Sequence, residues 1–151
     1  MRLREIRLGS IITLYNGIYA IVYGLLILIF NKIILSQYFF RTAYSPTLKW
    51  NIFAESFPYR AKLYSTLLLT NAFFLISLGV FIAYLSYFIL KRKDKLAWVI
   101  LFTGGIISWA SLFIINLMVG SWLIRLLSFV GWISFIVGMV IPIKYYLSKK
   151  I

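Results

Sequence analysis

The sequence predicts an all-α integral membrane protein, a four-transmembrane-helix bundle with a short interfacial helix in the outer loop between helices 1 and 2. Composition is the first observation behind this prediction: 63% of the 151 residues are hydrophobic and 13% are charged, against roughly 45–50% and about 25% in soluble domains. A domain of this length cannot hide so much apolar surface in its own core. The second observation is that Lys and Arg lie only outside four uncharged apolar blocks.

The four apolar blocks define the predicted spans. They cover residues 8–30, 63–90, 96–119 and 126–143, and each approaches or exceeds the roughly 20 residues that a helix needs to cross the bilayer core. The first block follows a basic leader, but it is longer than a signal-peptide core and no small-residue cleavage site follows it, so we expect it to remain as a span. We predict a single domain over residues 1–151, with residues 31–62 as the external loop.

Orientation follows from the basic residues. Three lie in the first seven residues, three in the tail after residue 143, and Lys91, Arg92, Lys93 and Lys95 lie in the linker between the second and third blocks. The segments on the other side carry fewer basic residues over a greater length. The positive-inside rule therefore predicts a multi-pass protein of the cell membrane with both termini in the cytoplasm. The four linker residues are topology anchors in this interpretation, and a site for anionic lipid is the alternative.

Small residues predict how the helices pack. Because lipid tails are as apolar as leucine, close backbone approach and hydrogen bonding must hold membrane helices together. Each block has small side chains at helical spacing, which favours a compact bundle over a dimerisation motif. These are Thr13, Gly17, Ala20 and Gly24 in the first, Gly79 and Ala83 in the second, Gly104 and Ser108 in the third, and Gly131, Ser134 and Gly138 in the fourth.

Asparagines are the polar side chains within the spans that invite a functional hypothesis. Asn71 and Asn116 both fall in the outer half, so they are expected to face each other or a shared cavity, or to form ordinary interhelical hydrogen bonds. Asn16 falls in the inner half and is expected to stay apart from them.

The external loop is too apolar for a solvated linker. Ser45 and Pro46 suit a helix start and Pro58 suits a stop, so the pattern predicts a short helix over residues 46–57. A helical projection of this segment places aromatic residues on one face and an acidic residue beside them. This arrangement indicates either a binding surface or a collar at the membrane boundary. The candidate partner or ligand surface comprises Trp50, Phe53, Glu55, Phe57, Asn71 and Asn116.

Several function classes are disfavoured by absent residue types. The chain has no Cys and no His, and none of its three acidic residues lies in a predicted span. Intramembrane proton relays, metal sites and acid–base pairs need such side chains, so we expect no catalytic residue, no metal ligand and no cofactor, and predict that the chain is not an enzyme. The net charge of +13 is explained by topology, so no nucleic-acid partner is predicted.

Two stretches carry a family resemblance. With "YNGIYAIVYGLLIL" in the first span and "KRKDKLAW" leading into the third, the chain resembles the small four-helix prokaryotic integral membrane proteins of unknown function that share a DoxX-like layout. The resemblance implies an accessory role beside an oxidoreductase complex. We therefore predict an accessory or assembly subunit, whose partners are the lipid bilayer and other membrane-protein subunits or further copies of itself. The alternatives are a binder of an apolar small molecule, such as a quinone, lipid or sterol-like compound, and an uncharged-solute channel.

Overall fold

The structure is a computed structural model that describes residues 2–40, 47–119 and 122–147. Four of its helices are long and apolar enough to cross a membrane, as a multi-pass membrane protein requires. The elements in chain order are α1 (Arg2–Ile29), α2 (Asn31–Ile34), a π-helical segment (Leu35–Phe39), α3 (Trp50–Ser56), α4 (Pro58–Arg92), α5 (Lys95–Val119), α6 (Trp122–Val140) and α7 (Ile143–Leu147).

Two prolines account for differences between the predicted and observed bounds. Pro58 was expected to end the short helix, but it lies in the first turn of α4, where the missing N–H is not needed. The second long helix therefore starts five residues before the predicted span. Pro142 follows α6 and explains its end at Val140, because proline disfavours helical backbone in the residue before it. The predicted start of the short helix at Ser45 and Pro46 lies outside the described residues. The prediction of helix was wrong for residues 47–49, which are described but not helical, and α3 begins at Trp50.

The most extensive helix contact joins α1 to α4, although α2, the π-helical segment and α3 separate them in sequence. Its closest point is Gly79, where an added Cβ would stand 2.5 Å from the Gly17 carbonyl oxygen and 2.7 Å from the Ile21 backbone nitrogen. Gly24 lies similarly close to Ala72, because a Cβ added at Gly24 would stand 2.7 Å from the Ala72 carbonyl oxygen. The small residues at these positions let the two backbones touch, as the sequence pattern predicts.

Helix α6 packs against another face of α1 and against α5. Gly138 lies against Thr13, Gly131 against the Trp109 ring, and Gly105 against the Phe135 ring. The sequence predicted that Gly104 lies on the packing face of α5, but Gly105 makes the close contact. A Cβ added at Gly104 would meet only the edge of the Phe81 ring, at 3.5 Å.

One end of the bundle, here called the basic end, carries the start of α1, the α4–α5 turn and α7. Lys93 adopts the left-handed conformation with φ 53°, and the Asp94 carboxylate accepts hydrogen bonds from the Leu96 and Ala97 backbone N–H groups at 2.8 and 3.1 Å. This N-cap satisfies donors that an α-helix leaves free at its first turn. The linker is therefore a tight turn, and its side chains Lys91, Arg92, Lys93 and Lys95 are all exposed.

Aromatic stacking fastens α7 to this end. The Tyr146 ring is buried and lies parallel to the Trp98 ring, with 5.1 Å between centroids. Burial, followed by the nearby Tyr145 and Asp94, raises the pKa of Tyr146 to about 12. The phenol is therefore neutral across the physiological pH range.

Candidate functional site

The opposite end, here called the collar end, is organised around an aromatic cluster. Phe40 and Phe53 are fully buried with ring centroids 4.5 Å apart. Trp50 meets Phe40 edge-on at 5.2 Å, and Tyr64 of α4 lies 6.0 Å from Phe53. The cluster packs α3 against α4 and against Phe40, which directly follows the π-helical segment. The collar end is therefore a packed structure and not a solvated loop.

The predicted aromatic surface is divided by this packing. Phe53 points into the cluster and is 0% exposed, so it cannot contact a partner directly. Trp50 is half-buried, and Glu55 is exposed on the outside of α3. Phe57 is 44% exposed, with the Arg60 guanidinium over its ring at 5.2 Å. The sequence projection missed the division because it could not show that Phe40 covers one side of the short helix.

Two adjoining pockets lie beside Trp50 and share Ser36, Trp50 and Asn51 in their walls. We call them together the collar cleft. The larger pocket is about 500 Å³, in the size range of small-molecule sites, and the smaller is about 270 Å³. The cleft is lined by Asn31, Lys32, Ile33, Leu35, Ser36, Gln37, Lys49, Trp50, Asn51 and Ser65.

Some polar side chains of the cleft are fixed by hydrogen bonds, and others, here called free, have no such bond to a described residue. The Asn31 side-chain amide donates to the Leu28 carbonyl at 2.7 Å, and the Ser36 hydroxyl donates to the Ile33 carbonyl at 3.2 Å. No hydrogen bond or ion pair to another described residue involves the side chains of Lys32, Gln37, Lys49, Asn51 and Ser65. Only Trp50 of the predicted surface belongs to the cleft. The polar pairs "NK" at 31–32 and "SQ" at 36–37, which follow the first apolar block, could have indicated part of the remaining lining.

Asn16 forms the main polar junction at the centre of the bundle. Its amide nitrogen donates to the Gly131 carbonyl at 2.7 Å and to the Ser134 hydroxyl at 2.8 Å, and its oxygen accepts from the Trp109 indole N–H at 3.1 Å. Both Asn16 and Trp109 are almost fully buried. One amide therefore joins α1, α5 and α6 through three hydrogen bonds, a role that the sequence reasoning did not assign to it.

The other two asparagines do not share a hydrogen bond. Asn116 is buried and donates to the Ser128 hydroxyl of α6, while its backbone carbonyl accepts from Arg125 at 3.4 Å. Asn71 is half-buried on α4 and has no hydrogen-bond partner among the described residues. Interhelical hydrogen bonding, one of the two roles predicted for this pair, thus fits Asn116.

A groove of about 320 Å³ runs between α4 and α5, which are consecutive but less closely packed than α1 and α4. It is lined by Phe74, Ser77, Leu78, Phe81, Gly104 and Ser108. The hydroxyls of Ser77 and Ser108 have no hydrogen-bond partner in the part of the chain that the structure describes. On the same two helices, Thr66, Thr70 and Thr103 donate to backbone carbonyls one turn earlier.

Within residues 2–40, 47–119 and 122–147, no group of three or more His, Cys, Asp or Glu side chains lies together. No known protein family, curated protein or solved structure matches the chain. The DoxX-like resemblance therefore stays a prediction.

Proposed function

We propose that the chain is a non-catalytic integral membrane protein, an accessory subunit whose α4–α5 groove receives a transmembrane helix of another subunit. The unpartnered hydroxyls of the groove are the observation that supports this proposal. A hydroxyl in hydrocarbon without a partner costs free energy, and a partner helix supplies carbonyls and polar side chains that relieve the cost. Gly104 at the base of the groove lets such a helix approach closely, because its surroundings are open.

An acyl chain or a quinone tail is the competing occupant of the groove, in line with the small-molecule alternative. Both are apolar and match Phe74, Leu78 and Phe81. Neither the acyl chain nor the quinone tail offers a hydrogen-bond acceptor to Ser77 and Ser108. We therefore favour the helix.

The groove is tested by placing a photo-reactive residue at Ser108 and irradiating membranes of the source organism. We expect one discrete adduct with a different membrane protein. The matched control is Tyr15, which is 68% exposed on α1 and should give no discrete adduct. Gly104→Leu fills the groove and should abolish the adduct. An adduct at twice the mass of the chain would contradict the proposal in favour of a homo-oligomer, and an adduct with lipid or quinone alone would favour the small-molecule binder.

The proposal includes an orientation in the cell membrane. The basic end, with exposed Lys91, Arg92, Lys93 and Lys95, is placed in the cytoplasm by the positive-inside rule. The collar end then faces outward, with α3 as an interfacial helix. We expect an alkaline phosphatase fusion, active only outside the cytoplasm, to be inactive at either terminus and active when inserted after residue 57. Activity at the termini would reverse the orientation.

A further inference from the structure

The collar cleft has a distinct electrostatic character. Lys32 and Lys49 stand in its walls, and no Asp or Glu is among the described residues that line it. Its free donors come from different segments: Lys32 from α2, Gln37 from the π-helical segment, Asn51 from α3 and Ser65 from α4. Lys32 and Ser65 line the larger pocket, Lys49 and Gln37 line the smaller one, and Asn51 lines both. Positive charge and hydrogen-bond donors without a neutralising carboxylate fit an anion that has several oxygen atoms.

The walls of the cleft are fixed before any ligand arrives. Trp50 is held by Phe40 and Phe53, and the Asn31 amide is tied to the end of α1. The π-helical segment buries Leu35 and leaves Ser36 and Gln37 in the cleft wall. Single-turn π-helical segments are rare and are frequent at functional sites. These fixed walls need no reordering when a ligand binds, whereas the free polar side chains of the cleft become ordered at a cost in conformational entropy.

Apolar surface begins at the edge of the cleft. Ile33 lines the larger pocket and is 56% exposed, and Ile29, four residues earlier, is 70% exposed. A ligand held by its charged group in the cleft would therefore lay an apolar tail along α2 and the end of α1. This combination describes an amphiphile better than a wholly water-soluble ion.

We propose that the collar cleft binds the phosphate group of an anionic amphiphile, with Lys32 and Lys49 supplying charge and Asn51, Gln37 and Ser65 supplying hydrogen bonds. A lysine ammonium binds phosphate as a point charge, and the amide and hydroxyl donors reach the remaining oxygens. Glu55, although it lies on α3, is not part of the lining. This site is separate from the α4–α5 groove, so either proposal can fail without the other.

The test uses the full chain in nanodiscs of phosphatidylcholine that contain graded amounts of phosphatidylglycerol, with retained lipids counted by native mass spectrometry. We expect one phosphatidylglycerol to be retained in preference to phosphatidylcholine. The double variant Lys32→Gln/Lys49→Gln should bind it roughly 30-fold more weakly. The matched control Arg60→Gln/Lys62→Gln removes the same charge from exposed residues at the start of α4, outside the cleft, and should bind like the original chain.

A second variant separates the loss of the site from a loss of folding. Asn51→Asp keeps both lysines but places a carboxylate in the cleft, and it should also weaken phosphatidylglycerol binding while unfolding like the original chain. Added inorganic phosphate distinguishes the sources of the ligand: failure to displace phosphatidylglycerol supports a lipid, and displacement supports a soluble phosphorylated compound. Equal binding by the lysine variant and its control, or no preference for phosphatidylglycerol, would overturn the proposal.

Discussion

Gly79→Leu is expected to prevent α1 and α4 from packing. An added Cβ at Gly79 would meet backbone atoms of Gly17 and Ile21 at 2.5 and 2.7 Å, and a helix backbone cannot turn aside as a flexible side chain can. Overpacking a tight site costs typically 1–3 kcal/mol and sometimes more. Because this contact is the most extensive in the bundle, we expect a loss of about 3 kcal/mol or more, measured by unfolding in mixed micelles of increasing dodecyl sulfate.

Gly104→Leu is the matched control for this prediction. The same substitution is made at a glycine within a long helix, but the new Cβ would meet only the Phe81 ring at 3.5 Å, an ordinary contact distance. Its unfolding free energy should stay within about 0.5 kcal/mol of the original chain. Helix propensity cannot produce a loss at either position, because leucine favours a helix more than glycine does. Equal destabilisation by both variants would therefore mean that the α1–α4 contact does not govern the response.

Asn16→Leu is expected to destabilise the bundle by about 2 kcal/mol. Interhelical hydrogen bonds in membrane proteins contribute about 0.6 kcal/mol on average, so the three lost bonds together account for roughly 1.8 kcal/mol. The bond from the Trp109 indole N–H is expected to be the largest of the three, because its loss leaves a buried donor without an acceptor. An unsatisfied buried donor costs about 1–3 kcal/mol. The same micelle titration measures the change.

Two further variants isolate the Trp109 contribution. Asn71→Leu removes an asparagine without a described partner and should change stability by less than about 0.5 kcal/mol. In a Trp109→Phe background the indole donor is gone, so Asn16→Leu should cost less than it does in the original chain. Additive effects of the two substitutions would show that the indole bond does not contribute to the stability of the bundle.

Four helices with the length and composition of membrane spans were predictable from the sequence because their signal is composition over long windows, which tertiary packing does not override. The backbone contact at Gly17, Gly24 and Gly79 was also indicated by small residues at helical spacing. For α5, the sequence assigned the wrong face of the helix to the bundle interior. Gly104 and Gly105 are adjacent, so spacing alone cannot show which of the two faces the neighbouring helices. The role of Pro58 was ambiguous for a similar reason, since proline suits both the end of one helix and the start of the next.

The polar sites were less predictable, because they depend on which helices are neighbours. Depth in the membrane suggested that Asn16 is isolated, but its partners lie on α5 and α6, which the sequence could not place beside it. Trp50 was identified as an aromatic in the collar, whereas the cleft beside it draws on residues from four separate segments. Phe53 was misjudged because burial by Phe40 is a tertiary contact.

The Asn16 junction also has a consequence for the order of biosynthesis. In a chain made from its N-terminus, Asn16 is synthesised 115 residues before Gly131, which at about 5–20 residues per second is an interval of roughly 6–23 s. Until Trp109 and then Gly131 have been made, the first helix carries an amide without these partners. A lipid-facing asparagine in a nascent helix is a site for temporary shielding by the insertion machinery. Cross-linking from residue 16 in ribosome-arrested chains should therefore capture that machinery before α6 is made and lose it afterwards, and unchanged cross-linking in the full-length chain would refute this order.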